Sequence, residues 1–166
     1  MKVAGIDPGT IHTGVAILEE NSKQHQVLFS DTINPNPKKV IAYRLHIIYQ
    51  RLVEIFRQWQ PEIVAIENVF FHIDFKAAVK IGEARAAAMI AAGECGIEVV
   101  EYLPTQIKSS VCGNGRAAKN QVQYMVKQAM NIKEDLQADR ADAIAVAMCH
   151  IQNNRFNQLK KRAQYV

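Results

Sequence analysis

The chain has 166 residues, of which 49% are apolar and 22% are charged, a composition typical of a globular protein with one well-formed core. No apolar run approaches the roughly 18 residues of a transmembrane helix, and Asp7 follows the first residue too closely for a signal peptide. The three separate cysteines exclude a disulfide framework and offer no zinc-ligand spacing. We therefore expect a single cytoplasmic domain over residues 1–166 with no membrane segment.

The predicted elements begin with three strands and continue as alternating helices and strands. Strands are predicted at residues 2–7, 13–18, 26–33, 61–67 and 97–102. Helices are predicted at residues 40–59, 76–95, 104–112, 117–130 and 139–156. This order predicts an α/β domain with a five-stranded mixed sheet flanked by helices, as in the ribonuclease H-like fold.

The net charge is only +4, but the basic residues are segregated. Residues 102–133 contain no acid and five bases, and residues 155–162 add four more bases without an acid. The segregation indicates a surface for a polyanion, or two helix faces that are simply solvated. Charge alone leaves both interpretations open.

Two carboxylates are predicted at the ends of apolar strands. Asp7 ends the first strand, although Asp-Pro-Gly is also a common turn sequence. Glu67 ends the apolar run at residues 63–66, where the carboxylate must reach solvent or a cation, because a bare buried charge is costly.

Two further carboxylates lie three residues apart at the start of the last helix. Asp139 and Asp142 share one helix face and, on the predicted bounds, the first turn, so an N-cap with a helix-dipole partner is the simple alternative. The small residues that follow Asp142 predict a helix that lies close to the sheet. If the four acids converge, oxygen-bound divalent cations would compensate their repulsion.

Five sequence blocks resemble the RuvC family of bacterial Holliday-junction resolvases over nearly the whole chain. The blocks are GIDPG at residues 5–9 with TG at 13–14, AIENVF at 65–70, AVKIGEAR at 78–85, GNGRAAKNQV at 113–122 and ADRADAIA at 138–145. The first block is shared with several nucleotide-handling folds, whereas the fourth, in this order with the others, is highly specific.

The resemblance implies a magnesium-dependent endonuclease of homologous recombination and DNA repair, with two ions per subunit and manganese as a substitute. It implies a catalytic and metal-binding set of Asp7, Glu67, Asp139 and Asp142. The implied DNA-binding residues are Phe70, Lys108, Lys119 and Arg116. Phe70 would stack on bases near the junction centre, although the residue type alone favours core packing or a dimer contact.

Two positions depart from the family pattern. Asp74 stands where Asn is frequent, and Ala77 stands where Ser or Thr is frequent. The departures affect the apolar loop at residues 71–76, and therefore the sequence preference of cutting rather than its chemistry.

The family also implies a homodimer, because paired nicks in a nearly two-fold symmetric four-way junction suit a two-fold symmetric enzyme. The helix at residues 76–95 offers an apolar side for that contact, or one that only covers the sheet. The branch-migration proteins RuvA and RuvB are the implied partners.

Three other functions share some of these features. An actin- or Hsp70-like ATPase of the sugar-kinase type would need a second domain and a second phosphate-binding hairpin. A related ribonuclease H-like nuclease acting on RNA or on other branched DNA stays open as an alternative, although the lysine block at residues 113–122 argues against it. A non-catalytic junction-binding protein would not need the acids.

Overall fold

In the computed structural model, the chain folds into three layers, a central sheet with helices on both faces. The structure describes residues 1–21, 25–68 and 75–163, with side chains of the last range described as far as Arg155. The strands are β1 (Lys2–Asp7), β2 (Thr13–Glu20), β3 (His25–Ile33), β4 (Ile63–Glu67) and β5 (Glu98–Tyr102). The helices are α1 (Ile41–Trp59), α2 (Phe75–Glu94), α3 (Pro104–Cys112), α4 (Lys119–Ala129) and α5 (Ala138–Ala163).

The sheet is mixed, with the strand order β3-β2-β1-β4-β5. β1 pairs antiparallel with β2 and parallel with β4, and β5 extends the parallel half. β1 therefore lies at the centre, which explains why its interior residues are apolar and buried without alternation. The predicted α/β fold with a five-stranded mixed sheet is confirmed.

Each face of the sheet carries its own core. Helices α1 and α2 cover one face with large aliphatic and aromatic side chains, among them Ile48, Leu52 and Phe56. Helix α5 covers the other face with an almost continuous run of buried small and medium residues from Ala143 to Ile151, and α3 and α4 pack against it.

Most predicted bounds agree with the structure to within one or two residues, and two differences have clear causes. Helix α5 continues to Ala163 instead of ending at Phe156, because no glycine or proline follows to end it. Helix α4 begins at Lys119 instead of Ala117, because Ala118 has an extended backbone with ψ of 155°.

Candidate active site

Asp7 and Glu67 end two neighbouring strands of the sheet. β1 and β4 are parallel, and Ile6 is in register with Ile66, so the next residues, Asp7 and Glu67, stand side by side at the carboxyl edge. In-register neighbours on parallel strands point to the same face of a sheet. The two carboxyl groups are also in hydrogen-bond contact.

Helix α5 reaches the same edge because two glycines let its backbone touch the sheet. A Cβ atom at Gly5 would lie 2.1 Å from the Ala143 carbonyl oxygen, and one at Gly14 would lie 2.1 Å from the Asp139 carbonyl oxygen. Both distances are far below van der Waals contact, so no other residue fits without moving the helix. Gly14 is the strand partner of Asp7, so this contact sets the start of α5 beside the strand-end acids.

Five charged side chains line one cavity at this edge, of about 280 Å³. Asp7 comes from β1, Glu67 from β4, Asp142 from α5, Lys108 from α3 and Lys119 from the first position of α4. The floor is apolar and includes Ile107, Val122 and Val146. The cavity is therefore an acidic cluster with two cations at its rim.

Burial and mutual repulsion make this cluster a poor place for three negative charges. Burial, followed by the charges of Glu67 and Asp142, raises the pKa of Asp7 to about 8. Burial and the Asp142 charge likewise raise the pKa of Glu67, while its hydrogen bond from Asp7 and the charges of Lys119 and Lys108 act in the opposite direction. Without a further cation, the hydrogen-bonded pair of carboxyl groups holds a proton near neutral pH.

Lys119 supplies the closest positive charge. Its Nζ lies 2.7 Å from Oδ2 of Asp142, and this hydrogen bond raises the pKa of Lys119. Lys108 lines the same cavity but makes no ion pair within 4.0 Å among the described residues. Of the two lysines at the cavity, Lys119 is therefore bound to one of the acids, whereas Lys108 only lies near them.

The donor set has the chemistry of a hard-cation site. Magnesium and manganese prefer carboxylate oxygens, and the cluster supplies three carboxyl groups, of which Asp7 has its pKa raised first by burial and then by its acidic neighbours. As the described side chains stand, no three His, Cys, Asp or Glu groups are spaced to hold one ion. The ammonium of Lys119 lies against one of the three candidate ligands.

The four predicted acids do not contribute equally to this cavity. Asp139 is not among its lining residues and affects Asp7 only through a weak charge interaction. The helix begins at Ala138, so Asp139 is a residue of the first turn and not its N-cap, and Asp142 lies beyond that turn.

The predicted DNA-binding residues also separate. Lys108 and Lys119 lie at the cavity, whereas Arg116 is exposed in the loop before α4, where its backbone N–H donates to the Asn114 side chain. Phe70 and residues 71–74 of the variant loop lie outside the described residues, as do the side chains of Lys160, Lys161 and Arg162.

Gly5 and Gly14 control the approach of α5, yet the motifs and residue spacings did not single them out as site residues. The signal was present, because glycine inside a strand weakens it and marks a close approach of another backbone. Gly5 lies within a buried apolar strand, and Gly14 lies in its hairpin partner.

Comparisons with known proteins agree on one family. The family model described as crossover junction endodeoxyribonuclease RuvC matches residues 3–150. The chain is 39% identical over 161 residues to the crossover junction endodeoxyribonuclease RuvC of Geotalea uraniireducens, covering 97% of this chain and 94% of that one. This chain belongs to the RuvC family.

Two further RuvC proteins extend the agreement. The RuvC of Shewanella frigidimarina is 43% identical over 148 residues, which cover 89% of this chain and 85% of that one. The structure of Thermus thermophilus RuvC in complex with a Holliday junction substrate superposes with a TM-score of 0.88 at 34% identity, covering 95% of this chain and 96% of that one. The fold is therefore that of the ribonuclease H-like resolvases. Within the described residues, no helix of this RuvC-family chain is long and apolar enough to cross a membrane.

Proposed function

We infer that this chain is an endonuclease that resolves four-way DNA junctions by hydrolysing phosphodiester bonds in pairs, during homologous recombination and DNA repair. The observation that carries this inference is the cavity where Asp7, Glu67 and Asp142 meet Lys108 and Lys119. Membership of a family described as crossover junction endodeoxyribonuclease supports the choice of substrate.

The nucleases of the RuvC family depend on a metal, and the acids of the cavity are the natural ligands. We propose that Asp7, Glu67 and Asp142 bind Mg²⁺, with Asp139 as a fourth ligand, that two ions bind per subunit and that Mn²⁺ substitutes. When bound, such ions activate water and stabilise the leaving oxygen of a phosphodiester. Asp7 is hydrogen-bonded to Glu67 and flanked by Asp142, so it would be the central carboxylate of the set that holds these ions.

The chain's own cations have a separate task. Lys108 and Lys119 stand at the rim of the cavity, where they offset phosphate charge and fix the position of the DNA backbone. We propose that Arg116, exposed in the adjacent loop, adds a backbone contact and that Phe70 stacks on a base near the junction centre.

The described side chains support direct attack by water rather than a covalent intermediate. Ser109 and Ser110, the serines nearest to Lys108, line a different cavity on the far side of α3. The Ser110 hydroxyl donates to the Gln152 side chain, which is not a base. Neither serine is oriented as an activated nucleophile.

We also propose that the protein acts as a homodimer. The alanine-rich side of α2, including Ala84, Ala88 and Ala91, is buried in the core that α2 shares with α1. On the opposite side of the helix, Phe75, Val79 and Ile90 are exposed. An exposed apolar stripe of this kind suits a two-fold helix contact.

The remaining proposals rest on the family. RuvA and RuvB are the proposed partners, the cytoplasm is the proposed location, and residues 1–166 are the proposed single domain.

The direct test is cleavage of a labelled, mobile four-way junction by the pure protein in Mg²⁺ and in EDTA, beside a linear duplex of the same sequence. We expect paired nicks in the junction alone, and only with Mg²⁺. Junction binding without cutting would favour a binding protein, and cutting of the duplex at the same rate would contradict a junction-specific enzyme.

A further inference from the structure

The ion pair between Lys119 and Asp142 places an ammonium group on a carboxylate that is proposed to bind metal. The two atoms are 2.7 Å apart, and of the two lysines at the cavity only Lys119 makes such a contact among the described residues. In the absence of a divalent ion, this ammonium therefore compensates part of the charge of the acidic cluster.

The two partners differ in their freedom to move. The Lys119 side chain is 63% exposed, whereas the Asp142 side chain is 21% exposed and is carried by a helix fixed against Gly5 and Gly14. Lys119 is also the first residue of α4, and the residue before it, Ala118, has an extended rather than a helical backbone. The lysine can therefore leave the pair by side-chain rotation, and the aspartate cannot.

We propose that Lys119 is a resident cation, which occupies the acidic cluster in the metal-free protein and is displaced from Asp142 when a divalent ion binds. The displaced ammonium then faces the solvent side of the cavity, where a DNA phosphate would lie. This inference rests on the proposed metal site, and it goes beyond that site by making the lysine a competitor of the metal and a metal-dependent DNA contact.

Competition between Lys119 and Mg²⁺ for Asp142 predicts the direction in which the Mg²⁺ affinity changes when the lysine is removed. Removing the ammonium removes a charge that repels the incoming ion, so Mg²⁺ should bind more tightly to Lys119→Met than to the wild type. We expect a change of about tenfold, the value for two unit charges at this separation when they are screened as in water, because the lysine side chain is largely exposed. The same change removes the compensating charge from the metal-free protein, which should therefore melt at a lower temperature.

Two matched variants separate competition from general electrostatics. Lys119→Arg keeps the charge at the same position and should bind Mg²⁺ as the wild type does. Lys108→Met removes a charge from the same cavity without breaking any ion pair among the described residues. Its effects on Mg²⁺ affinity and on the metal-free melting temperature should therefore be smaller than those of Lys119→Met.

The experiment is calorimetric titration of the full chain with Mg²⁺ in the absence of DNA, with melting curves in EDTA for all four proteins. Tighter Mg²⁺ binding and a lower EDTA melting temperature in Lys119→Met, both larger than in Lys108→Met and absent from Lys119→Arg, would support the inference. Equal or weaker Mg²⁺ binding in Lys119→Met, with normal binding to the wild type, would overturn the competition and leave the metal site intact. No heat of Mg²⁺ binding in any of the four would overturn both.

A second measurement uses junction binding and does not depend on melting. With Ca²⁺ as the cation and DNA present, the salt dependence of wild-type binding should be steeper than in EDTA by about one phosphate contact. Lys119→Met should show the same slope in both conditions. A wild-type slope unaffected by Ca²⁺ would contradict the release of the ammonium towards the DNA.

Discussion

The two faces of the central sheet are packed on different principles. On one face, α5 lies so close that its carbonyl oxygens occupy the places where Cβ atoms of Gly5 and Gly14 would stand. On the other face, α1 is held away from the sheet by large side chains such as Leu52 and Phe56. The close face fixes the position of carboxylates, and the filled face buries most of the large apolar side chains. One face of the sheet thus fixes the position of the carboxylates, and the other face contributes most of the stability of the fold.

The largest effect on junction cutting should come from a substitution of Asp7, which lies on the face of the sheet that α5 covers. Asp7→Asn keeps the shape of the side chain but removes the charge that would hold a cation, so we expect it to abolish junction cutting while leaving junction binding intact. The assay is cleavage and gel-shift binding of the same labelled junction. Loss of binding together with cutting would show that Asp7 supports the fold or the DNA surface instead.

Gly14→Ala tests the close approach itself. The added methyl group would stand 2.1 Å from the Asp139 carbonyl oxygen, so the start of α5 must move outwards. A displacement of about 1 Å at a reacting centre can lower turnover about 100-fold. We expect a loss of that order in junction cleavage per folded molecule, and near-normal cleavage would mean that the helix position is not critical.

Leu52→Ala is the matched change on the filled face. Leu52 is fully buried, and truncation of a buried leucine costs about 2–5 kcal/mol of unfolding free energy. Turnover per folded molecule should stay close to the wild-type value at temperatures where the variant is folded. Urea unfolding measures the loss of stability, and junction cleavage on the same sample measures turnover. If turnover per folded molecule fell together with stability, the two faces would not differ in the way proposed.

A smaller effect should appear in the pH dependence of stability. The pKa of Asp7 is about 8 in the folded chain against an ordinary value of 3.8, so the folded state binds the proton more tightly than the unfolded state. The free energy of unfolding of the metal-free protein should therefore fall as the pH rises from about 4 to about 8. Partial burial lowers the pKa of His25, and burial lowers that of His150, so these two groups act in the opposite sense at lower pH.

Urea unfolding in EDTA between about pH 6.5 and pH 8.5 measures the contribution of the proton that the Asp7–Glu67 pair holds. Asp7→Asn should flatten the dependence, whereas Leu52→Ala should lower the whole curve without changing its slope. A wild-type curve that rises over this range would contradict the raised pKa of Asp7.

The sequence predicted the fold and part of the site, for reasons that the two faces make clear. An apolar strand that ends on an acid is a local pattern, so Asp7 and Glu67 were identified together with the strands that carry them. The convergence of Asp142 with them depends on how closely α5 approaches, which is set by glycines on other strands. The absence of Asp139 from the cavity and the pairing of Lys119 with Asp142 depend on the docking of whole helices, which no local pattern encodes.

A crystal structure of the protein soaked in Mn²⁺, with the ion located by its anomalous scattering, would show whether the acids of the cavity bind a divalent metal. We expect an anomalous peak in the cavity, within bonding distance of Asp7, Glu67 and Asp142, with the Lys119 ammonium displaced from Asp142. A cavity without a peak at saturating Mn²⁺, with the ion pair intact, would contradict the assignment of these acids as the metal site.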